Sequence, residues 1–329
     1  MNGSLRSLTI LASSVVAILS ADAAMADGAA GKRVAQFIGP QDKYLGSLSH
    51  SFAATATSLG MVVQTFSSPF DAALQAQQID DAIGQKVDAL VVMPISQKAI
   101  VPPLNRAKAA GIPVFLIVVP VEAPEAKDLW ISYIGYDDTE LGQIAGEMMG
   151  KELVGRGHPN GKIAILAGAM DEGKAPMREK AFRAAISKFP GMQVAVTEDT
   201  HWNPVAGEKA AGQIFARFAG QGGVDGVYGM NDSLANAAVQ AAKTAGIKLG
   251  AGADAMVVIG GNCQGPGIAG MKRGDIEGTV SMYPNEEGKL AAETVRDYFN
   301  GAHPPRMVLL HSEAVTKDNL AADAAGCTY

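Results

Sequence analysis

The sequence predicts an α/β protein built of two parallel sheets, each covered by helices on both faces. Three observations carry this. Apolar runs of strand length alternate with alanine-rich stretches of helical pattern from residue 32 to the C-terminal region, which is the signature of βαβ units. The apolar runs are continuous rather than alternating, as expected of strands buried on both faces. Finally, the runs number around eleven, too many for one sheet in a chain of 329 residues, so two smaller sheets fit better.

The elements follow in order. Strands are expected at 34–38, 61–66, 89–93, 114–119 and 131–134, and then at 163–166, 193–197, 224–228, 257–259, 278–282 and 307–311. Helices fall between them, for example at 44–59, 138–153, 177–188 and 284–300. The helix-to-strand joints repeat as SLGMVVQTF (58–66), AAGIPVFLIVV (109–119) and TAGIKL (244–249). Glycine fits the left-handed position just past a helix end, and β-branched residues then start a strand. The stretch PVEAPEAKDLW, with two prolines and alternating charge, reads as a loop, and a second α/β pattern begins after Tyr136-Asp137-Asp138. That triplet marks the boundary between the halves.

The first residues read as an export signal. Arg6 gives a short positive segment, LTILASSVVAIL (8–19) is apolar, and Ala24-Met25-Ala26 is a small-residue cleavage site. The expected mature chain begins at Asp27, with residues 1–26 removed. A membrane anchor is the competing reading, but the run is short for a span and polar Ser20 and Asp22 follow it. Export places Cys263 and Cys327 in an oxidising compartment, where a pair usually closes. A bridge across about 65 residues is expected to add roughly 4 kcal/mol and to pin the C-terminal tail; two free thiols are the alternative. Net charge is −6 and no Lys/Arg run is present, which argues against nucleic acid.

Enzymatic motifs fail on inspection. GAMDEGKA (168–175) has the G-x-x-x-x-G-K spacing of a phosphate loop. It has alanine where the magnesium-binding hydroxyl belongs, and Asp171 and Glu172 where phosphate would lie. The first turn, IGPQDKYLG (38–46), lacks a dinucleotide fingerprint, and no metalloprotease, nucleophile-elbow or Cys/His cluster motif occurs. No cofactor or metal is expected. What remains is a set of polar and aromatic residues just after strands, where open parallel sheets bind ligands: Asp42, Tyr44, Glu172, Arg178, Trp202, Asn203, Asn231 and Asn262. Arg, Asp and Asn hold vicinal hydroxyls through paired hydrogen bonds, and Tyr and Trp offer flat faces to C–H surfaces. That suits a small polyhydroxylated ligand. Local alternatives stand beside each: Asn231, Ser233 and Asp42 also fit as helix caps, Arg178 as a surface ion pair and Trp202 as core. Asp137 and Asp138 read chiefly as a helix start.

The stretches LVVMPISQKAIVPPLNRAKAAGIPV (90–114), YIGYDDTELGQIAGEMM (133–149), MREKAFRAAI (177–186), VYGMNDSLANAAVQAAKTAG (227–246) and GTVSMYPNEEGKLAAE (278–293) resemble the periplasmic sugar-binding proteins of ribose and galactose type, which serve ATP-binding-cassette importers. The resemblance spans nearly all of residues 32–316. It implies two Rossmann-like lobes joined by a three-crossing hinge, one of residues 32–136 plus 283–310 and the other of 137–282 plus 311–329. It implies a monomer that closes on its ligand and docks on a membrane permease, in the periplasm and without membrane insertion. By matching position, Arg178 resembles the sugar-clamping arginine, Trp202 the stacking aromatic and Asn231 the hydroxyl-binding asparagine, with Asp232 or Ser233 starting the helix. Asp42 and Tyr44 match the first-loop positions. Polar positions of the family fall here on Val118-Val119, Asn262 and Met282, which implies a ligand smaller than an ordinary aldose, less hydroxylated on one side, or turned around. A sugar or sugar alcohol is the first expectation. An amino sugar, cyclitol or furanosyl signal is the second, since Asp42, Asp171 and Glu172 leave room for a cation, and an exported α/β enzyme is the third.

Overall fold

The computed structural model describes residues 28–40, 42–171 and 173–327. The expected signal segment, its cleavage site and Glu172 lie outside the described residues. Two six-stranded sheets are present. The first has strands β1 (Arg33–Ile38), β2 (Val62–Ser67), β3 (Ala89–Val92), β4 (Val114–Ile117), β5 (Ser132–Tyr136) and β11 (Met307–Leu310), in the order β11-β5-β4-β3-β1-β2 and parallel throughout. The second has β6 (Lys162–Ala167), β7 (Gln193–Asp199), β8 (Gly226–Gly229), β9 (Val257–Ile259), β10 (Gly278–Val280) and β12 (Ala314–Thr316), in the order β12-β10-β9-β8-β6-β7. Its edge strand β12 runs antiparallel to β10.

Ten α-helices are present among the described residues, nine between strands and the last after β12: α1 (Lys43–Ser58), α2 (Ala72–Gly84), α3 (Val101–Ala109), α4 (Asp138–Gly155), α5 (Lys174–Ile186), α6 (Pro204–Phe218), α7 (Asp232–Thr244), α8 (Gly265–Arg273), α9 (Pro284–Phe299) and α10 (Leu320–Cys327). Central strands such as β3, β4 and β8 are buried at every position, which is why they read as unbroken apolar runs. Several helices start on side-chain caps: Asp42 accepts from the Leu45 N–H, Asp71 from Leu74, Asp137 from Thr139, and Asn231 from Leu234. Each cap satisfies an amide that the first turn leaves without a partner.

Three expectations need correcting. Strand β4 ends at Ile117 rather than at 119, because Val118 turns to φ 63° and the Val119 N–H folds back onto the Ile117 carbonyl at 2.6 Å. Strand β10 likewise ends at Val280, short of 282. The reading also lacked β12 and α10, which are too short to carry a periodic signal.

The chain passes between the sheets three times, at 136–138, 280–284 and 310–314. These crossings are bonded to one another. The Tyr283 N–H donates to the Tyr136 hydroxyl at 2.7 Å, the Ser281 N–H to the Glu313 carbonyl at 2.8 Å, and the Glu313 N–H to Ser281 Oγ at 2.8 Å. Among the described residues, no helix is long and apolar enough to cross a membrane.

Candidate functional site

Two helix pairs build the site, and each closes on a glycine. A Cβ at Gly142 of α4 would lie 2.2 Å from the Arg178 carbonyl oxygen, so the backbones of α4 and α5 are in direct contact. That contact brings Asp138, in the first turn of α4, against Arg178 on α5. Asp138 is 3% exposed and Arg178 1%. The guanidinium is held on every side. Its Nε donates to Asp138 Oδ1 at 2.6 Å, Nη1 to the Met230 carbonyl at 2.6 Å and to Asn262 Oδ1 at 2.8 Å, and Nη2 approaches Met282 Sδ at 3.5 Å. Burial is the largest single effect and works against its charge, but Asp138 together with the nearby Tyr228 and Tyr44 outweighs it, and the arginine's proton affinity rises above its ordinary value.

The second pair is α1 with α9. A Cβ at Gly288 would lie 2.3 Å from the Leu48 carbonyl. This approach sets the fully buried Glu287 against Tyr44. The Tyr44 hydroxyl donates to Glu287 Oε2, and the Val118 N–H donates to Oε1 at 3.1 Å. Burial dominates here and pushes the Glu287 carboxyl up to about 7, although both hydrogen bonds favour its ionised form.

Between these pairs lies a narrow cavity of about 40 Å3, walled from both sheets. Its lining comes from the C-terminal ends of strands, from the loops beyond them and from the first two turns of the helices that follow. Asp42, Tyr44, Phe70, Met93, Val118, Tyr136 and Glu287 stand on the first side, and Asp138, Lys174, Arg178, Trp202, Asn231, Asn262 and Met282 on the second. Strained backbone concentrates here. Seven non-glycine residues among those described have positive φ. Of these, Phe70, Val118, Trp202 and Asn262 line the cavity, and His201 and Cys263 adjoin it. A β-branched residue such as Val118 pays about 1–3 kcal/mol for such a conformation.

The phosphate-loop spacing has a different explanation. A Cβ at Gly168 would fall 1.9 Å from the Trp202 ring, so glycine there lets the indole lie over the end of β6. Gly173 turns at φ 118° into α5. Lys174 then stands 5.0 Å from the indole centroid, with the Arg178 guanidinium carbon at 5.5 Å. The indole thus carries two cations on its faces.

Eight of the residues singled out in the sequence line the cavity: Asp42, Tyr44, Val118, Arg178, Trp202, Asn231, Asn262 and Met282. Asp42 and Asn231 are caps as well as wall residues. Asn231 uses Oδ1 for the cap, which leaves its Nδ2 donors for the cavity. Two others are placed elsewhere. Val119 is fully buried in the core behind Val118, and exposed Asn203 caps α6 by accepting from the Val205 and Ala206 N–H groups. Asp171 lines an outer groove instead. Asp232 is not the cap of α7: it is fully buried, accepts from the Gln264 N–H at 2.5 Å, and burial pushes it up to about 7.

Asp138, read from the sequence as a helix start, does begin α4, but its place in the cavity wall, like those of Lys174 and Glu287, escaped the sequence reading. A signal existed for two of them. Asp137 and Asp138 are consecutive, and one cap residue suffices. Glu287 lies on the buried stripe of α9 with Pro284, Gly288, Ala291 and Val295, where a charged residue is out of place. Among the described residues no cluster of His, Cys, Asp and Glu could hold a metal ion.

Residues 38–303 match a family model described as a periplasmic binding protein domain. The xylitol-binding protein of Mycolicibacterium smegmatis is 26% identical over 250 residues, 76% of this chain and 67% of its own. The galactofuranose-binding protein of Escherichia coli is 26% identical over 250 residues, 74% of each chain. Among solved structures, a galactofuranose binding protein superposes with a TM-score of 0.83 at 21% identity, covering 90% of this chain and 98% of that one. A solute binding protein of an ABC transporter from Bacillus halodurans, with bound myo-inositol, gives 0.81 at 20% identity, covering 91% and 99%.

Proposed function

The chain belongs to the periplasmic binding protein family, and from that premise we propose that it captures a small polyhydroxylated molecule, a sugar or sugar alcohol, for an ABC importer. The family and the relatives are binding proteins rather than enzymes. The observation that carries the choice of ligand is the buried Arg178 fork, fixed by Asp138 and Asn262 beside the Trp202 indole and facing Tyr44. These contacts already order the fork, so its remaining Nη2 N–H can meet a hydroxyl with little further ordering cost, and the aromatic faces cover the C–H surface of a ring or chain. The relatives named for xylitol and galactofuranose point to the same chemistry.

Ligand capture proceeds by hinge closure about the three crossings, with residues 32–136 plus 283–310 moving against 137–282 plus the C-terminal segment. The closed form then docks on a membrane permease outside the cytoplasm, after removal of the N-terminal signal. A thermal-shift screen of unfolded-and-refolded protein against sugars, sugar alcohols, cyclitols and amino sugars tests the reading. A ligand at 100 times its Kd raises stability by about 2.7 kcal/mol. A shift with one neutral polyol or sugar is the expected result; a shift only with an amino sugar moves the assignment to a cationic ligand, and silence across the panel overturns it.

A further inference from the structure

Helix α10 is eight residues long and sits at the end of the described chain. It touches the molecule at two informative places. Cys327 is bonded to Cys263, with 4.9 Å between their Cα atoms, and both residues are fully buried. Its neighbour Gly326 packs so closely on the crossing residue Tyr283 that a Cβ would stand 2.8 Å from the ring carbon Cε1.

Both contacts lead to the cavity. Cys263 directly follows Asn262, and the two hold consecutive left-handed conformations, φ 74° and 55°. Asparagine visits that region at modest cost, but a second non-glycine residue beside it is unusual and must be held from outside. The Cys263 N–H donates to Thr279 Oγ1 at 3.3 Å and the Gln264 N–H to Asp232. The disulfide is the third restraint and the covalent one. The carbonyl oxygen of the Asn262 side chain in turn accepts from Arg178 Nη1. At the other contact, the Tyr283 N–H donates to the hydroxyl of Tyr136, which lines the cavity from the first crossing.

We propose that the disulfide-tethered α10 is a positioning element of the ligand site, holding Asn262 in its left-handed conformation through Cys263 and bracing the second crossing through Gly326 and Tyr283. The tail thereby joins the loop that meets the arginine to the segment about which the halves move. This deepens the reading of the cavity as a binding site and rests on it for its function, but its test needs no ligand.

Hydrogen–deuterium exchange of the ligand-free protein is compared with that of a variant carrying both Cys263→Ser and Cys327→Ser. Amide exchange at 261–264 and 281–283 is expected to quicken at least tenfold along with 320–327, while β1, β2 and β7 keep their rates. Quickening confined to 318–327 overturns the proposal, because the bridge then ties down only the tail. Uniform quickening also overturns it, since that is general destabilisation. If the double variant does not fold, Gly326→Ala with the bridge intact serves instead. It is expected to quicken 281–283 and leave 261–264 unchanged, and unaltered exchange at 281–283 overturns the bracing contact. A protein that answers no compound in the ligand screen still gives one of these exchange patterns, so the two ideas fail separately.

Discussion

The α4–α5 pair and the α1–α9 pair are built alike and behave differently. In each, a glycine lets two helix backbones touch, and the contact presses a buried acid against a partner on the other helix. In the first the partner is a guanidinium, Arg178, and the acid Asp138 forms an ion pair at 2.6 Å. In the second the partner is a phenol, Tyr44, and Glu287 is lifted by burial to about 7. The same packing device thus yields a fixed charge on one wall and a titrating group on the other. The partner's chemistry decides, because a nearby cation offsets the cost of burying a carboxylate and a neutral hydroxyl offsets only part of it.

Arg178→Ala strikes that contrast hardest. Without the guanidinium, the buried Asp138 carboxylate loses its cation, which costs about 3–5 kcal/mol of stability. Denaturant melts should register that loss, and calorimetry should show ligand affinity falling at least 100-fold. Pairing Arg178→Met with Asp138→Asn should recover most of the stability and none of the affinity. Recovery of both would mean that the fork does not touch ligand.

Gly142→Ala and Gly288→Ala probe the helix contacts. Each adds a methyl within 2.3 Å of a backbone oxygen, so one helix must shift, at about 1–3 kcal/mol. The first is expected to weaken ligand binding more, because it moves the ion pair. Equal affinities for the two variants would show that the walls contribute equally.

The acid of the second pair predicts a pH dependence. Folded Glu287 keeps its proton up to about 7, whereas the unfolded chain releases it near the ordinary 4.5. The folded state therefore holds the extra proton between those values. Stability is greatest below that interval and falls as pH rises through it, then levels off. Asp232, also raised to about 7 from 3.8, adds a slope of the same sign. Glu287→Gln should flatten the pH 4–8 stability profile by on the order of 1–3 kcal/mol. An unchanged slope would place the titration elsewhere.

The smallest effect separates two asparagines that play the same local part. Asn203→Ala and Asn231→Ala each remove a cap, worth about 1 kcal/mol. Only the second should also weaken ligand binding, since only Asn231 lines the cavity. Matching losses of affinity would put Asn203 back in the site.

Much of this was legible in the chain, for reasons tied to range. Strands buried on both faces show as unbroken apolar runs, and caps such as Asp42 and Asn231 sit next to the helices they start. Both are local patterns, so the α/β class, the element order and the strand-end polar residues could be read directly. The pairing of Cys263 with Cys327 followed from the expected compartment alone. What the chain could not disclose depends on atoms far apart in sequence. Val118 and Val119 look alike as letters and both pack in the core, and only a turn at φ 63° makes one of them also part of the cavity wall. Asp138 and Asp137 look alike too, until α4 packs on α5 and gives one of them an arginine. Glu287 meets Tyr44 across 243 residues. The sequence by itself determined which elements form and which residues end up at the strand tips. The tertiary structure decided which of those tips converge and what charge each carries, because convergence and burial are properties of packed elements rather than of neighbours along the chain.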